Sequence, residues 1–397
     1  MATRCRIALL VLIALILLLH GRLTSLQAPK TPEIFNQTLG FQEIFVVNLP
    51  ERTDRRDAMT LIGAASGLRL TFADGVHGDD VLEKTVPGSR PRKLSAGKLG
   101  SWRAHMDVLQ RIVHENITTA LIMEDDVDWD VRLKAQFHRF AEASRLFLQH
   151  LDEKSSASFS RRHPPSEDTA NPSAISIFEA PPTREPRSSP YGDDWDVLWL
   201  GHTGGEMPLD WRTLKSNNDT PPSSLLTVII PDDETVPVPR HIKRHPWARK
   251  TERFSTLFGP HTRVVHEPRG TGGVQAYAVS QRGARRPLHR FGLETFTELW
   301  DISLRDFCEG VYTRGRGGGE ERPVCLTTQP PVVAQYWNRA DSDIGNVGGG
   351  YFRKTGSINI RHSVRLNLER LLRGPTGLES HVEGLVDQWP DDGKGPW

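Results

Sequence analysis

Four carboxylates fall within five residues, at Glu124, Asp125, Asp126 and Asp128, directly after the apolar run Thr119-Ala-Leu-Ile-Met123. Carboxylates this close repel one another unless a cation joins them. Hard divalent ions such as Mn²⁺ or Mg²⁺ take carboxylate oxygens and keep room for a substrate phosphate. One reading of the cluster is therefore a metal–diphosphate site. The plainer one is an acidic turn, solvated and idle. Two further groups could join the chemistry. Arg52, Arg55 and Arg56 crowd the turn after another apolar run, Glu43 to Leu49, where guanidinium groups could meet phosphate or carboxylate in bidentate fashion or simply start a solvated helix. His105 lies beside Trp102 and Leu109 at the edge of an apolar helical stripe, as a structural histidine or as one aimed at the acidic cluster.

These groups need elements to position them. Short apolar runs bounded by polar residues read as strands buried on both faces, the kind found in parallel sheets, whose ligands bind at the carboxyl ends of the strands. Residues 43–49 form the first such strand. A helix capped at Thr53 and stopping near Gly67 follows, then a strand over 68–72. This β-α-β opening predicts an α/β fold with a mainly parallel sheet. Leu99, Trp102, Met106, Leu109 and Val113 recur at helical spacing and predict a helix over 94–115. Further strands are expected at 195–200, 263–265 and 274–279, and a basic helix at 281–290. Asp301 and Asp306 stand in an apolar context after it. Residues 357–372 read as a terminal strand or helix.

The 397 residues suffice for one large α/β domain or two smaller ones, and the net charge of +1 carries no nucleic-acid footprint. Arg4 and Arg6 precede an apolar run from Ile7 to Leu19, shorter than the ~20 residues of a typical spanning helix. It fits a signal-peptide core or a short type II anchor; no small-x-small cleavage site follows at once, which leans to an anchor. Either places the body in the secretory lumen, or outside the cell after cleavage, and the sequons at Asn36, Asn116 and Asn218 agree. Cys308 and Cys325 are the candidates for an intramolecular disulfide. The expected layout is a leader over 1–26, a stem over 27–42, one domain over 43–372 and a frayed tail over 373–397. Inside the domain a disordered insertion is expected at about 155–194 and an irregular Pro-rich stretch at about 216–246. Gly-rich residues 314–321 lack the Lys-Ser/Thr ending of a phosphate-cradling P-loop.

Ile44-Phe-Val-Val-Asn-Leu-Pro-Glu-Arg-Thr-Asp-Arg-Arg56 resembles the opening of glycosyltransferase family 25. Leu99-Gly-Ser-Trp-Arg-Ala-His105, Leu121-Ile-Met-Glu-Asp-Asp-Val127, Ala276-Tyr-Ala-Val-Ser280 and Asp301-Ile-Ser-Leu304 resemble its later landmarks, in order. The resemblance implies a GT-A-like fold, a UDP-sugar donor, in the first instance UDP-galactose, and Mn²⁺ or Mg²⁺. It implies that Glu124, Asp125 and Asp126 hold the metal and donor diphosphate, with Glu124, Asp126 and Asp128 as metal ligands. Asn48 and Arg52, with Arg55 or Arg56, would line the nucleotide side. His105 would sit near the donor, and Asp301 would serve as the acceptor-side base. A Golgi or ER lumenal enzyme is implied, acting on a glycan, glycoprotein or lipid-linked acceptor. Two departures stand out: Ser101 where Cys is common, and Val332-Val-Ala-Gln-Tyr-Trp-Asn-Arg339 where a His-rich stretch is expected. The second makes an inactive homologue the competing reading.

Overall fold

The computed structural model describes residues 33–88, 94–151, 174–208, 224–242, 254–296, 298–313, 321–337, 355–373 and 384–394. Strands in chain order are β1 (Glu43–Asn48), β2 (Thr71–Asp74), β3 (Thr119–Glu124), β4 (Val127–Trp129), β5 (Ala174–Ser176), β6 (Val197–Gly201), β7 (Thr227–Ile230), β8 (Arg263–His266), β9 (Ala276–Ser280), β10 (Cys325–Gln329), β11 (Val333–Trp337) and β12 (Gly356–Ser357). The α-helices are α1 (Thr53–Ala65), α2 (Ala96–His114), α3 (Leu133–Leu148), α4 (Phe254–Leu257), α5 (Gln281–His289), α6 (Trp300–Cys308) and α7 (Val364–Arg373).

The continuous apolar runs have a simple cause. In β1, Ile44 and Val46 face one core while Phe45 faces another; in β3, Leu121 and Met123 part from Ile122 in the same way. Side chains alternate across a strand, so a sheet covered on both faces needs apolar residues at every position. One cover brings Met59 and Ile62 of α1, Phe137 and Phe140 of α3 and Val364 of α7. The other brings Trp102, Met106 and Leu109 of α2, Ala284 of α5 and Trp300 of α6. This is an α/β, GT-A-like sandwich.

Strand order in the main sheet is β2-β1-β3-β9-β6-β10-β8-β7-β5. The sheet is mixed rather than mainly parallel. β1 runs parallel to β2 and β3, and β10 parallel to β6, but β9 lies antiparallel between β3 and β6, and β8 is antiparallel to β7 and β10. Strands buried on both faces look alike in sequence whichever way they run.

Four expected segments differ. Ile34, Leu39 and Phe41 are core residues, with Phe41 stacked on Tyr191 at 4.7 Å, so residues 33–42 belong to the domain and not to a stem. Residues 174–194 are built into the domain through β5, which pairs with β7, and the buried Tyr191. β7 itself lies inside the stretch expected to be irregular. In the expected tail, Trp389 is 1% exposed and its indole N–H donates to Ser357 O at 3.2 Å. The leader, residues 152–173 and residues 314–320 lie outside the described residues. Among the described residues no helix is long and apolar enough to cross a membrane. Cys308 and Cys325 are disulfide-bonded, tying the end of α6 to the start of β10.

Candidate active site

The carboxyl ends of β1 and β3 lie side by side, with Val47 opposite Glu124. β3 stops at Glu124, Asp125 and Asp126 make the turn, and β4 leaves to pair with β11. A cavity of about 310 Å³ opens there. Its lining includes Arg55, His105, Glu124, Asp125 and Asp126, the loop from Gly75 to Asp79, and Ala96, Gly97, Gly100 and Ser101 from the first turns of α2. A helix start offers N–H groups and the positive end of its dipole, so that part of the lining suits an anion while Glu124, Asp125 and Asp126 make another part acidic.

Asp125 is held in place by cations and amides. Arg55 Nη1 donates to its Oδ1 at 2.7 Å and Asn48 Nδ2 to its Oδ2 at 2.8 Å. Arg56 Nε donates to Asn48 Oδ1 at 3.0 Å, fixing the amide's orientation from behind. Arg55 also lies 3.9 Å from Asp126. Arg52 turns the other way, to Asp54 at 2.8 Å, and does not line the cavity.

Glu124 and Asp126 are under electrostatic pressure. Burial pushes the Glu124 carboxyl well above the usual range, and the charges of Asp126, Asp125 and Asp301 push it further. Burial raises Asp126 too, against the pull of Arg55 and Arg365. Asp126 Oδ2 accepts from Gln335 Nε2 at 3.0 Å, while its Oδ1 is buried and accepts no hydrogen bond. A buried carboxylate oxygen with nothing to accept from is costly unless something else satisfies it. The donor set Glu124 and Asp126 is all hard oxygen, next to a cavity with a basic and helix-start wall. By donor type, these residues would suit a hard divalent cation such as Mn²⁺ or Mg²⁺.

Asp128 does not fit. Its carboxylate does not line the cavity and accepts hydrogen bonds from Ser357 Oγ, Ser363 Oγ and the Arg365 N–H, the last at 3.1 Å. It joins β4 to the C-terminal segment and does not stand with Glu124 and Asp126 as the metal ligand expected from the sequence. Asp301 lies near enough to raise Glu124 but outside the cavity lining; its Oδ2 accepts from Gly273 N–H at 3.0 Å and its Oδ1 from Ile302 N–H at 2.8 Å. Those bonds aim it from the start of α6.

His105 reaches the cavity from α2. Its Nδ1 is 3.0 Å from the Tyr277 hydroxyl, and its ring stacks on Trp300 at 5.4 Å. Burial holds the ring at about 3, far below the ordinary histidine range. His105 therefore acts neutral, as a hydrogen-bonding group and not a charge. Because its folded value lies below the unfolded one, the stability it confers is complete above about pH 6.5 and falls as acid protonates the unfolded chain, by up to ~1.4 kcal/mol per pH unit. An NMR titration should show no His105 inflection between about pH 5 and 8; a midpoint near the free-histidine value contradicts its neutral role.

Two glycines shape the wall. A Cβ on Gly100 would stand 2.1 Å from Val76 O, and one on Gly78 would stand 1.7 Å from Ala96 O. The loop and α2 thus touch backbone to backbone. Gly100→Ala gains about 1 kcal/mol of helix propensity but forces apart two backbones at a cost of about 3 kcal/mol. A net loss near 2 kcal/mol is expected in denaturant unfolding, and an unchanged midpoint contradicts the contact.

Several site residues escape sequence reasoning. Gln335 sits in the very segment that departs from the family pattern, and Tyr336 N–H next to it donates to Asp126 O at 2.8 Å. Tyr277 falls in a quoted motif but carries no mark of its role. Nothing local singles out Arg365.

The mixed sheet, the cavity at its strand ends and the acidic rim define a GT-A-like α/β protein with a candidate ligand site where β1 and β3 end. The model of glycosyltransferase family 25 (LPS biosynthesis protein) matches residues 41–167, so the family resemblance read from the sequence is borne out over that segment. Procollagen galactosyltransferase 2 of Mus musculus is 27% identical over 126 residues, 29% of this chain and 20% of that protein. Procollagen galactosyltransferase 1 of Danio rerio is 31% identical over 116 residues, 26% of this chain and 19% of its own. The protein named Inactive glycosyltransferase 25 family member 3 of Homo sapiens is 27% identical over 116 residues, 26% and 20%. The chain spans about a fifth of the length of these curated relatives.

Proposed function

We propose that this chain is a glycosyltransferase that moves a hexose, in the first instance galactose, from a UDP-sugar to a hydroxyl of a glycan, glycoprotein or lipid-linked acceptor. The observation that carries the reading is the half-buried Glu124–Asp126 pair, with the buried Asp126 Oδ1 unpartnered, in the lining of a cavity that the start of α2 also lines. The names of the relatives support sugar transfer in general.

Glu124 and Asp126 would hold a divalent cation, which when bound offsets the charge of a departing diphosphate. Arg55 and the α2 N–H groups bind the phosphates from the other side. Neutral His105 offers a hydrogen bond without adding charge. Asp301, aimed by Gly273 and its own helix start, takes the acceptor hydroxyl proton at Oδ1 or Oδ2. The loop 75–79 closes the nucleoside side. A lumenal setting fits the Cys308–Cys325 bond.

A panel of UDP-sugars with Mn²⁺, scored for slow donor hydrolysis, tests this. One UDP-hexose should be turned over; a folded protein that hydrolyses none counts against it. The second reading, a binding module without catalysis, draws on the relative named inactive and on the changed segment at Val332. It predicts nucleotide binding without turnover.

A further inference from the structure

The C-terminal segment is tied to the acidic turn at several points. Arg365, on α7, donates from Nη2 to Asp125 O at 2.9 Å and from Nε to Val127 O at 2.6 Å. Its backbone N–H donates to Asp128 Oδ1. Its guanidinium lies over the Tyr336 ring at 5.4 Å and reaches Met59 Sδ at 3.2 Å. One planar fork thus bridges the carbonyls on both sides of Asp126, and the same residue closes the far side of Asp128. The charge faces Asp126, Asp128 and Asp125 at short range.

We propose that Arg365 is the positioning residue of the cation site: it sets the shape of the Glu124-Asp125-Asp126 turn, so that residues 357–373 are part of the active centre and not a trailing segment. The claim rests on the cation reading above. A turn of two residues between diverging strands has free carbonyls that could face either way. Arg365 bonds the carbonyls of Asp125 and Val127, which leaves the Asp126 side chain between them facing Gln335 and the cavity. A guanidinium can do this because its donors are rigid and planar; an ammonium of equal charge has one donor centre and cannot span both carbonyls. Its role is also distinct from that of Arg55, which binds the side chain of Asp125 on the cavity side and stands ready for phosphate. Within the turn, the Arg365 guanidinium bonds backbone carbonyls and not the Asp125 side chain.

The test compares three purified variants of the chain with the wild type by Mn²⁺ titration in the presence of UDP, read by electron paramagnetic resonance of free Mn²⁺, alongside thermal unfolding. R365M removes the charge and the fork. R365K keeps the charge. Leu368→Ala, on the same helix and packed on the core, loosens α7 without touching the turn. Groups that orient metal ligands typically matter about 10–100-fold in affinity. R365K and R365M should each weaken Mn²⁺ binding at least about tenfold, while L368A lowers the unfolding temperature with Mn²⁺ affinity unchanged. Should R365M not fold, R365K and L368A carry the comparison. Wild-type affinity in folded R365K, or an equal loss in L368A, overturns the positioning role. A wild type that binds no Mn²⁺ overturns the cation reading, and this proposal with it.

Discussion

Asp126→Asn is expected to lower UDP-sugar turnover at least ~100-fold while leaving the cation-free protein as stable as the wild type or more so. The two effects have one cause. The Asp126 side chain is half-buried with Oδ1 enclosed and unpartnered, and this desolvation raises its pKa, so in the absence of a cation its charge is a burden on the fold. An amide is uncharged, keeps the shape and lifts that burden. What it loses is the charge that a cation would share with a diphosphate, worth several kcal/mol in the transition state. Steady-state rates and a melting curve without metal decide it. Full activity, or a large loss of stability without metal, would falsify the assignment of Asp126 as a ligand.

Arg55→Ala is expected to do the opposite. Arg55 and Asp125 form a nearly buried pair, 14% and 8% exposed, and removing one partner of such a pair strands the other. The full penalty of ~3–5 kcal/mol applies to deeply buried pairs; with the cavity alongside, about 2–3 kcal/mol is expected. Two bindings should then move in opposite directions. Mn²⁺ should bind more tightly, because a competing cation 3.9 Å from Asp126 is gone. UDP should bind at least about tenfold more weakly, because a charge-assisted phosphate contact is gone. Calorimetric titrations of each ligand separate the two. If both bindings weaken together, the variant has merely disordered the turn and Arg55 has no phosphate role.

The framework was legible because burial on both faces forces runs of apolar residues, and β1, β3 and β6 stood out for that reason. So did α2, whose stripe repeats at helical spacing. The same uniformity hid strand direction: nothing in Ala276–Ser280 says that β9 runs against its neighbours. Within the site, the acidic run and the arginine turn were visible because their charges are crowded locally. Sorting them required the fold. Asp126 and Asp128 are two residues apart and chemically identical, yet one faces a cavity and the other a pair of serines more than two hundred residues away in sequence. Arg52, Arg55 and Arg56 looked equivalent and divide into an outward ion pair, a cavity cation and a support for Asn48. Gln335 and Arg365 carry no local signal, since a lone amide or guanidinium in an amphipathic segment has nothing to mark it.

The most direct measurement is a calorimetric titration of UDP into the purified chain with and without Mn²⁺. Glu124 and Asp126 should make the two ligands interdependent, with UDP binding at least about tenfold more tightly when the cation is present and Mn²⁺ gaining equally from UDP. UDP affinity that ignores the cation would contradict a shared metal–diphosphate site at the end of β3.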